Sequence, residues 1–217
     1  MKIFAYGLVA GCIAVSTAQA NKDDAADPSK VDADYALQGD YVGTIKEADG
    51  EARYGTQVIA LGNGKFRAVG YTGGLPGDGW NGEKPERVEA SLKDGEVRFV
   101  GAKGSGVLKD GKLLTLDKAG RQVAVMNKVE RKSPTLGAKP PEGALVLFDG
   151  TSADNFKPGR MTEDGLLIQR ANSKERFQSH QLHLEFRLPY QPTKRGQGRG
   201  NSGAYLQGRY EVQMLDS

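Results

Sequence analysis

Cysteine is almost missing from this 217-residue chain; the single one is Cys12. A lone thiol forms no intrachain disulfide and no thiolate metal site, so the fold must be held by packing. Histidine is scarce as well, with only His180 and His183. Residues three apart on a strand point to opposite faces, so one metal ion does not readily take both. Neither sign of charge dominates: 30 Lys and Arg stand against 27 Asp and Glu. That balance removes the strong field that a nucleic-acid or anionic-membrane partner calls for. After residue 20 no stretch is apolar enough to span a bilayer, so no transmembrane segment is expected. Nowhere does a run keep a helical period.

What the chain has in quantity is glycine, 30 residues, between short apolar runs, which points to an all-β fold with many turns. The first twenty residues are the exception. Lys2, an apolar stretch from Ile3 to Val15, and Ala18-Gln19-Ala20 together read as an export signal. Residues 1–20 are thus expected to be removed, leaving a periplasmic or extracellular product that starts at Asn21. Val9-Ala10-Gly11-Cys12 also resembles a lipidation box, making a lipoprotein the rival reading. A cut before Cys12 would leave a short signal core and strand apolar Ile13-Ala14-Val15 in the tail, which favours plain export. Residues 21–34, with five aspartates and little apolar material, suit a disordered acidic spacer.

From there the pattern is β. "GDYVGTI", "GTQVIAL", "KFRAVGY", "RVEASL", "EVRFV", "GVLK" and "KLLTL" are short strand-like runs. Asn63-Gly64, Asp94-Gly95 and Asp110-Gly111 are hairpin pairs, because such turns need the positive φ that these residues tolerate. "SLKDGEVRF" and "VLKDGKLLTL" repeat one hairpin design, the mark of an antiparallel meander. Residues 35–130 are expected to form a small antiparallel β-domain. "SPTLGAKPPEGA", within which Pro134, Pro140 and Pro141 cannot donate to a sheet, makes 131–143 a linker. Beyond it "ALVLFDG", "GLLIQ", "QLHLEFRL", "GAYLQG" and "YEVQMLD" again read as strands.

Two of these strands carry the candidate chemistry. Leu182, Leu184 and Phe186 alternate with His183, Glu185 and Arg187; Tyr210, Val212 and Met214 alternate with Glu211 and Gln213. The plain interpretation is a half-exposed sheet with a solvated face. The functional one is a groove in which His, Glu, Arg and Gln meet a polyhydroxylated ligand. The basic Gly-rich stretch "PTKRGQGRGNSG" (192–203) lacks the interleaved aromatics of a nucleic-acid binder, and a mobile loop over a groove is the plainer reading. "GGLPGDGW" (73–80) has no Gly-Lys-Ser/Thr ending, so it is not a phosphate-binding P-loop. Trp80 in it could stack on a sugar ring, although a lone tryptophan beside a turn is more often packing.

From about Ala144 to Ser217 the chain resembles the 3-keto-disaccharide hydrolase domain family. The resemblance rests on "LVLFDGTSADNF", "LHLEFRLPY" and above all "GNSGAYLQGRYEVQMLDS". Phe156 stands where many members have tryptophan after the opening segment. The family implies a concanavalin-like jelly roll, two antiparallel sheets with a ligand groove on a concave face. Family domains usually continue past this "LDS" point, so the second region is expected to hold only the N-terminal part of that sandwich and to be poorly folded or inactive alone. The implied substrate is a glycoside oxidised to a ketone at C3, cleaved by C2 proton abstraction, elimination and addition of water. On that footing His183, Glu185 and Glu211 are the catalytic candidates, with Glu211 or Glu185 as base or acid and His183 and Arg187 stabilising negative oxygen. Arg187, Arg199, Asn201, Tyr205, Gln207 and Gln213 are candidates for binding the substrate. A divalent cation is an alternative electrophile, with Asp216 as a ligand. The rival function is a non-catalytic carbohydrate-binding module of the cell envelope on the same fold.

Overall fold

A computed structural model describes residues 3–6, 14–17, 31–47 and 50–216. The expected leader is therefore described only in β1 (Ile3–Tyr6) and β2 (Ala14–Thr17). Cys12, the Ala18-Gln19-Ala20 site and most of the acidic spacer lie outside the described residues. The chain is nearly all β, as its composition implies, and divides into two units, one over Lys30–Lys132 and one over Ser133–Ser217 with Met1–Ser29.

The first unit opens on a single turn of helix, α1 (Asp34–Leu37). Eight strands follow: β3 (Gly39–Glu47), β4 (Gly50–Gly62), β5 (Lys65–Thr72), β6 (Glu86–Lys93), β7 (Glu96–Val100), β8 (Gly104–Lys109), β9 (Lys112–Asp117) and β10 (Gln122–Val129). Each pairs antiparallel with the next, and β10 returns to β3 through Asn127↔Val42, Lys128↔Tyr41 and Val129↔Asp40, so the meander closes into a barrel. The three hairpin pairs form the expected turns, with positive φ at Asn63 (56°) and Gly64 (68°), Asp94 (51°) and Gly95 (81°), and Asp110 (49°) and Gly111 (71°).

A barrel of eight strands has an interior just wide enough to be filled by side chains. Here Tyr41, Val58, Phe66, Val97, Phe99, Leu113 and Met126 fill it. Burial stabilises each of these by about 1.5–3 kcal/mol relative to exposure. α1 ties one end: the Tyr41 hydroxyl donates to the Leu37 carbonyl at 2.8 Å, Lys128 Nζ donates to the Ala36 carbonyl at 2.8 Å, and Gly64 N donates to the Asp34 carboxylate at 2.8 Å. A second apolar cluster, Val69, Tyr71 and Leu75 with Val42, Ile59 and Val129, lies on the outside of the barrel.

Among the described residues the second unit has two sheets. β11 (Leu145–Phe148) and β14 (Gln181–Leu184) flank β1 in one. The other runs β12 (Phe156–Lys157), β13 (Asn172–Ser173), β2, β15 (Asn201–Leu206) and β16 (Tyr210–Leu215). Leu147, Phe148, Phe156, Leu167, Ala171 and Phe177 form its buried cluster, with Leu182 and Leu184 packed against it. Phe156 is thus a core residue.

Two expected strands are corrected. "GLLIQ" is not a strand, because its backbone groups are spent locally: Thr162 N donates to the Leu166 carbonyl, Leu166 N to the Thr162 hydroxyl and Ile168 N to the Arg160 carbonyl. "QLHLEFRL" is a strand only to Leu184, where its pairing with β1 ends at Ile3.

Candidate functional site

The apolar residues of β14 and of β15–β16 face each other. Leu182, Leu184 and Phe186 on one side and Ala204, Leu206, Val212 and Met214 on the other line a cleft of about 380 Å³, with His180 at its edge. Strand alternation then sends their neighbours the opposite way. His183, with Glu185 bonded to it, points out of one sheet; Asn201, Tyr205, Glu211 and Gln213 point out of the other. The polar faces of the two strands therefore do not share one wall, and the expectation that they converge is not met. The reason is that the apolar halves of both patterns are used against each other, which turns both polar halves outward.

On the first face His183 Nε2 and Glu185 Oε1 are 3.1 Å apart. The same carboxylate oxygen accepts the Gly137 amide at 2.5 Å. Both side chains are largely shielded, so this pair fastens the 133–137 segment onto the sheet. Arg187 is spent on Asp164 at 2.6 Å. The Thr162 hydroxyl and then Arg187 hold the Asp164 carboxyl below its usual range.

The second face is more open. β15 and β16 pair in register through Gly203↔Gln213 and Tyr205↔Glu211, so Tyr205 lies directly across from Glu211 on the outward side. The Glu211 carboxylate lies over the bare backbone of Gly203: a Cβ there would meet Oε1 at 2.0 Å and Cγ at 2.7 Å. Glycine at 203 is thus what lets the carboxylate lie against the sheet. Gln213 Nε2 donates to Gln197 Oε1 at 2.7 Å and to Asn201 Oδ1 at 3.3 Å, and Asn201 Nδ2 donates to Gln197 Oε1 at 3.0 Å. An exposed carboxylate, a phenol and a set of mutually aligned amides occupy one surface.

The basic loop before β15 is hydrogen-bonded at several points. Arg199 is 4% exposed, and its Nε donates to Asp216 Oδ2 at 2.9 Å. Gly200 N donates to Gln191 Oε1 at 2.5 Å, and Asp216 N donates to the Gly200 carbonyl. Arg195 donates to the carbonyls of Pro192 and Lys194. Arg195 thus bonds inside the loop, while Arg199 ties the loop to the end of β16. Gln207, with φ 55°, is a corner of the β15–β16 hairpin and not part of the polar face. Asp216 is committed to Arg199, and among the described residues no three His, Cys, Asp or Glu side chains gather as metal ligands. The residues on this face therefore do not make a fitted cation site. Among the described residues no helix is long and apolar enough to cross a membrane.

Gln197 is the participant that sequence reasoning missed. It sits among glycines in a short 3-10 turn, Gly196–Gly198, and only the fold brings it to β15 and β16.

Residues 143–217 match the family described as 3-keto-alpha-glucoside-1,2-lyase-like domain. No curated protein and no solved structure matches the chain.

Proposed function

We propose that the outward face of β15–β16 is the glycoside-binding and acid–base surface of an exported domain that cleaves 3-keto-glycosides. The observation that carries this is the Glu211 carboxylate lying on Gly203, opposite Tyr205 and beside the Gln213, Asn201 and Gln197 amides. The family matched by residues 143–217 supplies the reaction class.

A ketone at C3 acidifies the hydrogen on C2. Glu211 removes that proton, and the C–H electrons become the C2=C3 bond of an enolate. As the enolate collapses back to the ketone, a C1=C2 bond forms and the C1–O bond breaks, the leaving oxygen taking up a proton. Water then adds at C1, so the net change is hydrolysis. A positioned carboxylate contributes about 10²- to 10⁴-fold to such proton transfers. Tyr205 donates to the developing oxygen charge, while the amides of Gln213 and Asn201 bind hydroxyls. His183 and Glu185, on the other sheet, fasten the 133–137 segment and take no part.

The test is release of the leaving alcohol from a 3-keto-glucoside and from its unoxidised parent, using the full chain and Glu211→Gln. Cleavage of the ketone alone, reduced at least about 100-fold in the variant, is expected. Unaltered cleavage by Glu211→Gln removes that residue from the mechanism. Binding of both sugars with no cleavage by the unsubstituted chain replaces the enzyme with a lectin.

A further inference from the structure

The barrel carries a surface that the cleavage reaction does not use. The loop from Gly73 to Asn81 lies across the outside of β4 and β5. Leu75, fully buried, plugs the outer apolar cluster, and the loop backbone sits directly on Gly55, where a Cβ would be 2.7 Å from Leu75 N. The loop is clamped at several points. Gly73 N donates to the Arg53 carbonyl and Asn81 N to the Thr72 carbonyl. Arg53 grips the Asp78 carboxylate at 2.6 Å and the Asp78 carbonyl at 3.0 Å. Arg131 Nη1 donates to the Pro76 carbonyl at 2.8 Å.

The same loop also holds Trp80, with 37% of its surface in water. The indole stands edge-on to Tyr71, ring centres 5.5 Å apart, and its N–H is taken by the Glu83 carbonyl at 3.0 Å. Its orientation is thus set while part of its apolar surface stays exposed.

Beside it runs a polar row. Asp40, Gln57, Val69 and Arg87 are consecutive partners across β3, β4, β5 and β6. Tyr71 donates to Gln57 Oε1 at 2.7 Å, Gln57 Nε2 donates to Asp40 Oδ1 at 3.1 Å, and Arg131 Nε donates to Asp40 Oδ2 at 2.7 Å. Apart from Arg87, the charges named here cancel in pairs, Arg131 on Asp40, Arg53 on Asp78 and Arg67 on Glu89. A surface with bonded donors and acceptors, a partly exposed indole and little net charge suits a neutral polyhydroxylated ligand better than a phosphate or a nucleic acid.

We propose that this outer face binds a neutral carbohydrate chain, one pyranose ring lying on Trp80 and its hydroxyls meeting Gln57, Asp40 and Arg87. The barrel is then a sugar-holding module in the same chain as the β15–β16 face, and its binding does not depend on cleavage there.

Trp80 is the only tryptophan in the chain, so its emission reports this surface alone. The full chain is titrated with cellohexaose, maltohexaose and laminarihexaose, and with hexagalacturonate as the acidic control. A saturable emission change with at least one neutral oligosaccharide, accompanied by protection from acrylamide quenching, is expected. Calorimetry on Arg87→Ala and Trp80→Ala, each checked for an unchanged barrel melt, should show affinity about tenfold weaker or worse, a loss of about 1.4 kcal/mol. Glu211→Gln should bind as tightly as the unsubstituted chain. Silence with every neutral probe, a response to hexagalacturonate alone, binding that survives Trp80→Ala, or binding that Glu211→Gln abolishes would each overturn the proposal.

Discussion

At the scale of single residues, the second unit depends on a glycine as much as on a carboxylate. Gly203 leaves room that Glu211 occupies, and the three atoms nearest a Cβ placed there all belong to that flexible side chain. Gly203→Ala should therefore displace the carboxylate at little cost to the fold: thermal melting within about 0.5 kcal/mol of the parent, with 3-keto-glucoside cleavage reduced at least about tenfold. Equal losses of stability and activity would mean the glycine serves packing only. In the barrel the informative residue is Tyr41, whose burial pushes its phenol up to about 12 from an ordinary 10.0. The neutral form is favoured in the fold, so stability is whole below pH 10 and falls as the unfolded chain ionises between pH 10 and 12. The loss approaches about 3 kcal/mol. Urea titrations across that range should show the decline in the parent. Tyr41→Phe gives up about 1 kcal/mol at neutral pH with its bond to Leu37 and should decline less, the remainder coming from Tyr71, also raised by burial.

At the scale of elements, the seam between β10 and β3 decides whether the meander is a barrel. Gly43 makes it possible: a Cβ at that position would lie 2.8 Å from the Val125 carbonyl oxygen and 3.1 Å from Met126 Cα, both backbone atoms that cannot swing aside. Gly43→Ala should cost about 1–3 kcal/mol, read as a lower urea midpoint with faster exchange of the amides in β3 and β10. Seven of the eight barrel strands were legible as short apolar runs between turn residues, and Asn-Gly and Asp-Gly marked three of the hairpins. β10 is the one without that signature. Its "QVAVM" places Ala124 and Met126 inward and Val125 outward, so it shows no apolar/polar alternation, and its second partner lies at the far end of the domain. β14 was legible in type but not in length, because its end is set by where β1 stops pairing.

At the scale of the molecule, the two units differ in how completely they satisfy themselves. A closed barrel has no free edge, whereas β14 and β16 are edge strands of their sheets. On β16 itself Tyr210 and Val212 remain 65% and 59% exposed. Limited proteolysis of the full chain should accordingly cut first within residues 133–216 and leave a resistant core over 31–132. A fragment of residues 30–132 should melt cooperatively with a β-type circular dichroism spectrum. Early cutting inside the barrel, or a fragment without a transition, would count against this account.

The sequence by itself determined the all-β character, most strand positions, the turn types and the family resemblance of the second region. All of these follow from local chemistry: side-chain alternation, positive-φ tolerance at Asn-Gly and Asp-Gly, and a contiguous motif. It also singled out Glu211, Gln213, Asn201 and Tyr205, which the fold brings onto one face. Only the tertiary structure decided that His183 and Glu185 stand apart from them, because alternation defines two sides of a strand but not which side meets the opposite sheet. Barrel closure, the burial of Arg199, the entry of Gln197 and the fixed exposure of Trp80 likewise needed contacts between distant segments, which no local pattern encodes.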